Sequence, residues 1–172
     1  AELASTPPLI QKVLDELDPI KELAKRFIDE KSVLFLGRHV GYPVALEGAL
    51  KLKERAYMHA EGFPAGELKH GPIALIEQGL PVVVIVPSRS RKVLHDKIVS
   101  NIQEVRARGA RVIAIAEEGD ESINAFADHI VRIPAVPTLM QPLVATVPLQ
   151  VFACEMATPK GHDVDQPRNL AK

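Results

Sequence analysis

The chain has 172 residues, 47% of them hydrophobic and 25% charged, the proportions of one globular domain able to bury roughly 70% of its unfolded surface. A formal net charge of −1 gives no field to draw nucleic acid, and 4% aromatic residues with no Trp give no platform for base stacking. No apolar run reaches the length of a membrane span, and the single cysteine, Cys154, excludes an internal disulfide and builds no zinc site alone.

The start, Ala1-Glu2-Leu3, is no signal peptide and lacks an initiator Met, so processing or excision from a longer chain is expected, with a cytosolic location as the default. Pro7-Pro8 predicts the end of an irregular start. Residues 9–29 carry Leu14, Leu17, Ile20, Ala24, Phe27 and Ile28 at helical spacing, with Pro19 expected to kink or divide the helix. Ser32 to Gly37 is a buried-strand pattern. A helix follows at 43–57, and Met58 to Gly62 makes a weaker second strand. Pro81 to Val86 is a Val-rich strand, followed by a charged helix at about 89–108 that stops at Gly109. Arg111 to Ala116 is the next strand, Ser122 to Asp128 a short helix, and His129 to Ile133 a fifth strand. Thr138 to Ala157 is a long apolar helix despite Pro142 and Pro148, and Cys154 within it reads as a small buried hydrophobe. The tail from Pro159 to Lys172 is polar and irregular.

Apolar strands alternating with helices predict a three-layer αβα sandwich on a five-stranded parallel sheet, flavodoxin-like in order 2-1-3-4-5. The expected organisation is a helical lead-in at 1–29, a core domain at 30–158 and a tail at 159–172. Ligands of such sheets bind at the carboxyl ends of the strands, where Gly37, Pro87 and the loop before residue 43 would sit.

Within the 43–57 helix, Glu47, Lys51 and Glu54 fall in about a 60° arc. Ala45, Ala49, Leu52 and Ala56 take the opposite side, and Leu50 flanks the polar arc. A partly buried acid-base-acid set suits proton transfer, because neighbours and desolvation separate the pKa values. The competing reading is a Glu-Lys pair on a solvated helix, worth a few tenths of a kcal/mol. On the first reading Glu54 is expected near the carboxyl edge of the sheet, within reach of Lys51.

Other motifs carry less. Gly37-Arg38-His39-Val40-Gly41 lacks the glycine spacing of a dinucleotide fingerprint, which argues against a nicotinamide cofactor. Ser88-Arg89-Ser90-Arg91 lies between a strand and a helix start, where the serines either bind an anion or only cap the helix. His70 precedes Gly71-Pro72 in a loop, either beside a substrate or as an idle surface residue. His39, His59, His95, His129 and His162 show no metal-ligand spacing, and no metal or cofactor is expected.

Four strings together are specific: Ala45-Leu46-Glu47-Gly48-Ala49-Leu50-Lys51-Leu52-Lys53-Glu54, then His59-Ala60-Glu61, then Gly66-Glu67-Leu68-Lys69-His70-Gly71-Pro72, then the tail from Asp163 to Lys172. Through them almost the whole chain resembles the second sugar-isomerase (SIS) domain of the glutamine–fructose-6-phosphate aminotransferases, the glucosamine-6-phosphate synthases. In that family, ammonia from a glutaminase domain aminates fructose 6-phosphate at C2, and the sugar is isomerised to glucosamine 6-phosphate. The resemblance implies that Lys172 forms a Schiff base with the open keto sugar and that Glu54 moves a proton between C1 and C2. It implies that His70 assists ring opening in the site of a partner subunit of a homodimer, with Glu47, Lys51 and Arg168 in support.

Two features depart from the family pattern. The glutaminase sequence and the first SIS half, which carries the Ser/Thr-rich phosphate loop in this family, are not in this chain. The expectation is therefore an excised domain holding part of an isomerase site, inactive alone, with the missing domains as its partners in cis. A non-catalytic module that binds a sugar phosphate and a structural dimerisation domain are the alternatives.

Overall fold

The computed structural model describes residues 2–170. Five parallel strands, β1 (Ser32–Gly37), β2 (His59–Pro64), β3 (Pro81–Ile85), β4 (Arg111–Glu117) and β5 (His129–Ile133), form one sheet in the order β2-β1-β3-β4-β5. The helices are α1 (Thr6–Asp15), α2 (Asp18–Phe27), α3 (Gly41–Ala56), α4 (Lys92–Arg106) and α5 (Gln141–Ala157). Alternate strand residues feed two cores. Val33, Phe35, Val83, Ile85, Ile113 and Ile115 pack under α1, α2, α3 and α5. Leu34, Leu36, Val82, Val84, Val112 and Ala114 pack under α4. This is the expected three-layer arrangement, and its central strands are apolar on both faces because helices cover both.

Several boundaries differ from expectation for local reasons. Proline divides the first helical region, but α1 begins at Thr6, before Pro7-Pro8. Proline in a first helical turn removes only an N–H that would lack a helical partner anyway. Residues 122–128 form turns instead of a helix: Asp120 Oδ1 accepts both the backbone N–H and the hydroxyl of Ser122, which competes with a helical turn. The stretch after β2 is not an open loop but two 3₁₀ turns, Ala65–His70 and Pro72–Leu75. A 3₁₀ turn, Arg89–Arg91, precedes α4, and α5 starts at Gln141, after turns at 138–140.

The direction of α3 decides the site. It leaves the carboxyl end of β1 after Gly37 and ends at Ala56, just before β2 begins at His59. His59 pairs with Ser32, the first residue of β1. The helix therefore runs antiparallel to the strands, and Glu54, in its last turn, lies at the amino edge of the sheet. The expected carboxyl-edge position is corrected: a crossover helix must carry the chain back to where the next parallel strand starts.

Candidate active site

The polar arc of α3 forms as its spacing predicts. Lys51 Nζ lies 2.5 Å from Glu54 Oε2 and 3.6 Å from Glu47 Oε1, with the Lys51 and Glu54 side chains 20% and 17% exposed. The hydrogen bond to Glu54 raises the Lys51 ammonium above its ordinary value, against the opposing effect of burial, with Glu47 adding to the rise. Lys51 is thus a held cation that orients two carboxylates, not a free amine. Arg55 Nη2 lies 3.5 Å from Glu54 Oε1, so Glu54 has a cation near each oxygen. Ala45, Ala49, Leu52 and Ala56 are buried on the opposite side, and Leu50 beside the arc is exposed.

At the end of α3, Tyr57 adopts a left-handed conformation (φ 52°, ψ 34°), and its N–H closes the helix on Leu52 O. The C-terminal segment comes back over this point. The Arg168 N–H donates to the Tyr57 hydroxyl at 2.8 Å, and the Arg168 guanidinium carbon lies 4.1 Å from the ring centroid. Arg55 also donates to Val164 O. Tyr57 and Arg168 border an open hollow of about 430 Å³, lined also by Lys53, Glu54, His59 and Leu170. The structure thus brings Glu54, Lys51, Glu47 and Arg168 to one region. Lys172 lies outside the described residues.

His70 is elsewhere. It ends the 3₁₀ turn after β2, whose last residue, Pro64, pairs with Gly37 at the carboxyl edge of the sheet. There its Nδ1 lies 2.6 Å from Glu67 Oε2, and both side chains are exposed. Within one chain, His70 and Glu54 are separated by the length of β2, about 17–20 Å at its rise per residue. Gly37 keeps this edge tight, because a Cβ there would meet Gly41 O at 2.1 Å.

Between the two readings of Ser88 and Ser90, the observed contacts are local: Ser90 N–H donates to Ser88 Oγ at 3.3 Å, and the hydroxyls lie 3.0 Å apart. Cys154 is half-buried, and burial pushes its thiol up, away from a reactive thiolate. No group of three or more metal-ligating side chains occurs among the described residues, and no helix among them is long and apolar enough to cross a membrane.

Sequence reasoning missed Tyr57, whose backbone conformation no residue pattern announces, and the tilted contact of the His162 ring with it. It also missed a cluster at the carboxyl edge, where the buried His95 has Nε2 2.7 Å from Oδ2 of the buried Asp120 and 3.4 Å from Oγ of the exposed Ser122. Burial pushes the Asp120 carboxyl up, but hydrogen bonds from Ser122 and His95 outweigh it and leave the group below the usual carboxylate range. Serine and aspartate meet the same ring nitrogen, whereas a nucleophilic relay needs them on opposite ones. The cluster pins the turn after β4 to α4.

The sequence model of the SIS domain matches residues 26–159. The chain is 72% identical over 99% of its length to the glutamine–fructose-6-phosphate aminotransferase (isomerizing) of Streptomyces coelicolor, and 63% identical to that of Mycobacterium tuberculosis strain H37Rv. It spans about 28% of the length of each. Among solved structures, the C-terminal domain of glucosamine-fructose-6-phosphate aminotransferase from Francisella tularensis superposes with a TM-score of 0.86 at 39% identity, over 96% of this chain and 46% of that one. Tagatose-6-phosphate ketose/aldose isomerase from Escherichia coli shares the fold, with a TM-score of 0.79 at 24% identity over 96% of this chain and 46% of that one.

Proposed function

Because this chain belongs to the SIS domain family, we propose that it supplies part of the sugar site of a glutamine–fructose-6-phosphate aminotransferase. That site makes glucosamine 6-phosphate from fructose 6-phosphate and glutamine-derived ammonia. The observation that carries the reading is the shared hollow. Glu54 on α3 and Arg168 in the tail, remote in sequence, line one cavity, and the tail continues towards Lys172.

In this reading the Lys172 amine condenses with the C2 carbonyl of the open sugar and expels water. Ammonia then displaces the lysine at C2. Glu54 takes a proton from C1 of the resulting imine and returns it at C2, which turns the ketose imine into the 2-amino aldose. Proton transfer by a positioned group contributes typically about 10²–10⁴-fold. Lys51, held as an ammonium, fixes the carboxylate through Oε2, and Glu47 fixes Lys51 from the other side. The charged state of Lys51 argues against it as the Schiff-base amine, since only a neutral amine attacks a carbonyl.

His70 assists ring opening from a partner subunit. Its place at the opposite edge from Glu54 supports a composite site, in which two copies of the chain each bring what the other lacks. The phosphate grip belongs to the first SIS half of the longer protein, so the fragment alone dimerises but makes no glucosamine 6-phosphate even with free ammonia. In a full-length enzyme carrying this segment, Glu54→Gln abolishes glucosamine 6-phosphate formation and leaves glutamine hydrolysis largely intact. Normal product formation by that variant would sink the assignment.

A further inference from the structure

Tyr57 holds a backbone conformation that residues other than glycine and asparagine seldom adopt, and a costly conformation persists only where its surroundings maintain it. Its side chain meets the C-terminal segment at three points. The hydroxyl accepts the Arg168 N–H, the ring lies under the Arg168 guanidinium, and the His162 ring packs against it with centroids 4.6 Å apart. The segment is ordered from within as well, since Asp163 Oδ1 accepts the N–H groups of Asp165 and Gln166 at 2.9 and 3.0 Å. Glu54 is three residues before Tyr57, on the last turn of α3.

We propose that Tyr57 is a positioning residue, the post that fixes the C-terminal segment against α3 so that the Lys172 amine and the Glu54 carboxylate meet the same sugar. This rests on the function proposed above. Tyr57 touches no reacting atom. Its hydroxyl sets the height of the backbone at Arg168, its ring sets the direction of the guanidinium, and its contact with His162 holds the segment at a second point. Displacing a reacting group by about 1 Å can cost 10²-fold in rate, so a loosened tail should lower turnover with its chemistry intact.

The test uses the full-length enzyme, with amide hydrogen exchange followed by mass spectrometry beside steady-state kinetics. Tyr57→Asn keeps a side chain tolerant of the left-handed backbone while removing the ring and the phenol. The expected result is exchange about tenfold faster across residues 161–170, with α3 unchanged. The kcat for glucosamine 6-phosphate falls about tenfold or more while glutamine hydrolysis is unaffected. Tyr57→Phe, which keeps the ring, recovers most of the kcat and speeds exchange mainly at the Arg168 amide, which loses its acceptor. If Tyr57→Asn loosens α3 as a whole, the Arg168 amide in Tyr57→Phe decides the matter alone. Unchanged tail exchange overturns the anchor, and a loosened tail with unchanged kcat overturns the positioning role. Failure of the wild-type enzyme to make glucosamine 6-phosphate overturns the functional reading and the positioning claim with it, while the exchange arm still decides whether Tyr57 anchors the tail.

Discussion

Lys51 Nζ stands 2.5 Å from Glu54 Oε2 and 3.6 Å from Glu47 Oε1, so one ammonium on α3 gathers two carboxylates beside a hollow. The three side chains are only partly exposed, which separates them from the solvated Glu-Lys pairs common on helix surfaces, as on α2, where Lys25 and Glu22 are both well exposed. What the arrangement supplies is a carboxylate of fixed direction.

Replacing Lys51 with Met leaves that carboxylate without its nearest hydrogen-bond donor. In the full-length enzyme the variant is expected to lose about 10²-fold in kcat for glucosamine 6-phosphate, and Lys51→Arg to recover part of it. The pair also has a pH signature. Because the Lys51 pKa is raised on folding, its stabilising contribution is fully present below the ordinary value of 10.5 and is lost as pH rises through the higher folded value. The difference in melting temperature between wild type and Lys51→Met should therefore stay flat from about pH 7 to pH 9 and shrink only above about pH 10.5. A difference that disappears on acidification to about pH 6 would contradict this, since a raised Lys51 pKa keeps the ammonium charged throughout that range.

The packing behind α3 makes a separate claim. A Cβ at Gly48 would lie 2.7 Å from Phe35 Cε1 and 2.9 Å from Leu149 Cδ1, and both residues are buried. Gly48→Ala should cost about 1–3 kcal/mol through overpacking, reduced by up to about 1 kcal/mol from the better helix propensity of alanine. Chemical denaturation of the full-length protein checks it: a lowered midpoint is expected, and an unchanged or raised one would mean that α3 sits further from β1 and α5.

Borohydride reduction in the presence of fructose 6-phosphate should mark Lys172 in the full-length enzyme. Peptide mapping distinguishes it from Lys51, which is held charged, and from Lys53, which also lines the hollow. Label on Lys53 would move the Schiff base to α3 and remove the reason for the tail to cross the site.

Much of this was legible in the residues. The runs at Ser32–Gly37 and Pro81–Ile85 are apolar and short, so strands and their parallel order followed from composition and alternation with helices. Glu47, Lys51 and Glu54 could be grouped because i, i+3 and i, i+4 spacing is geometry intrinsic to a helix. The edge at which Glu54 sits is a property of the crossover as a whole and cannot be read from the helix alone. Turns replace the expected helix at 122–128 because Asp120 intercepts the donors of Ser122. Tyr57 left no trace, because its left-handed backbone comes with no glycine or asparagine to announce it.

The central claim is that Glu54 of one chain and His70 of another serve the same sugar, and subunit mixing tests it most directly. Full-length Glu54→Gln and His70→Ala proteins, each inactive in glucosamine 6-phosphate formation, are denatured together and refolded as mixed dimers. If the site is composite, a mixed dimer has one site with both defects and one with none, so a statistical mixture should regain about a quarter of wild-type activity. If both residues serve a site within their own chain, each mixed dimer carries two singly defective sites, and no recovery above the parent proteins would contradict the account.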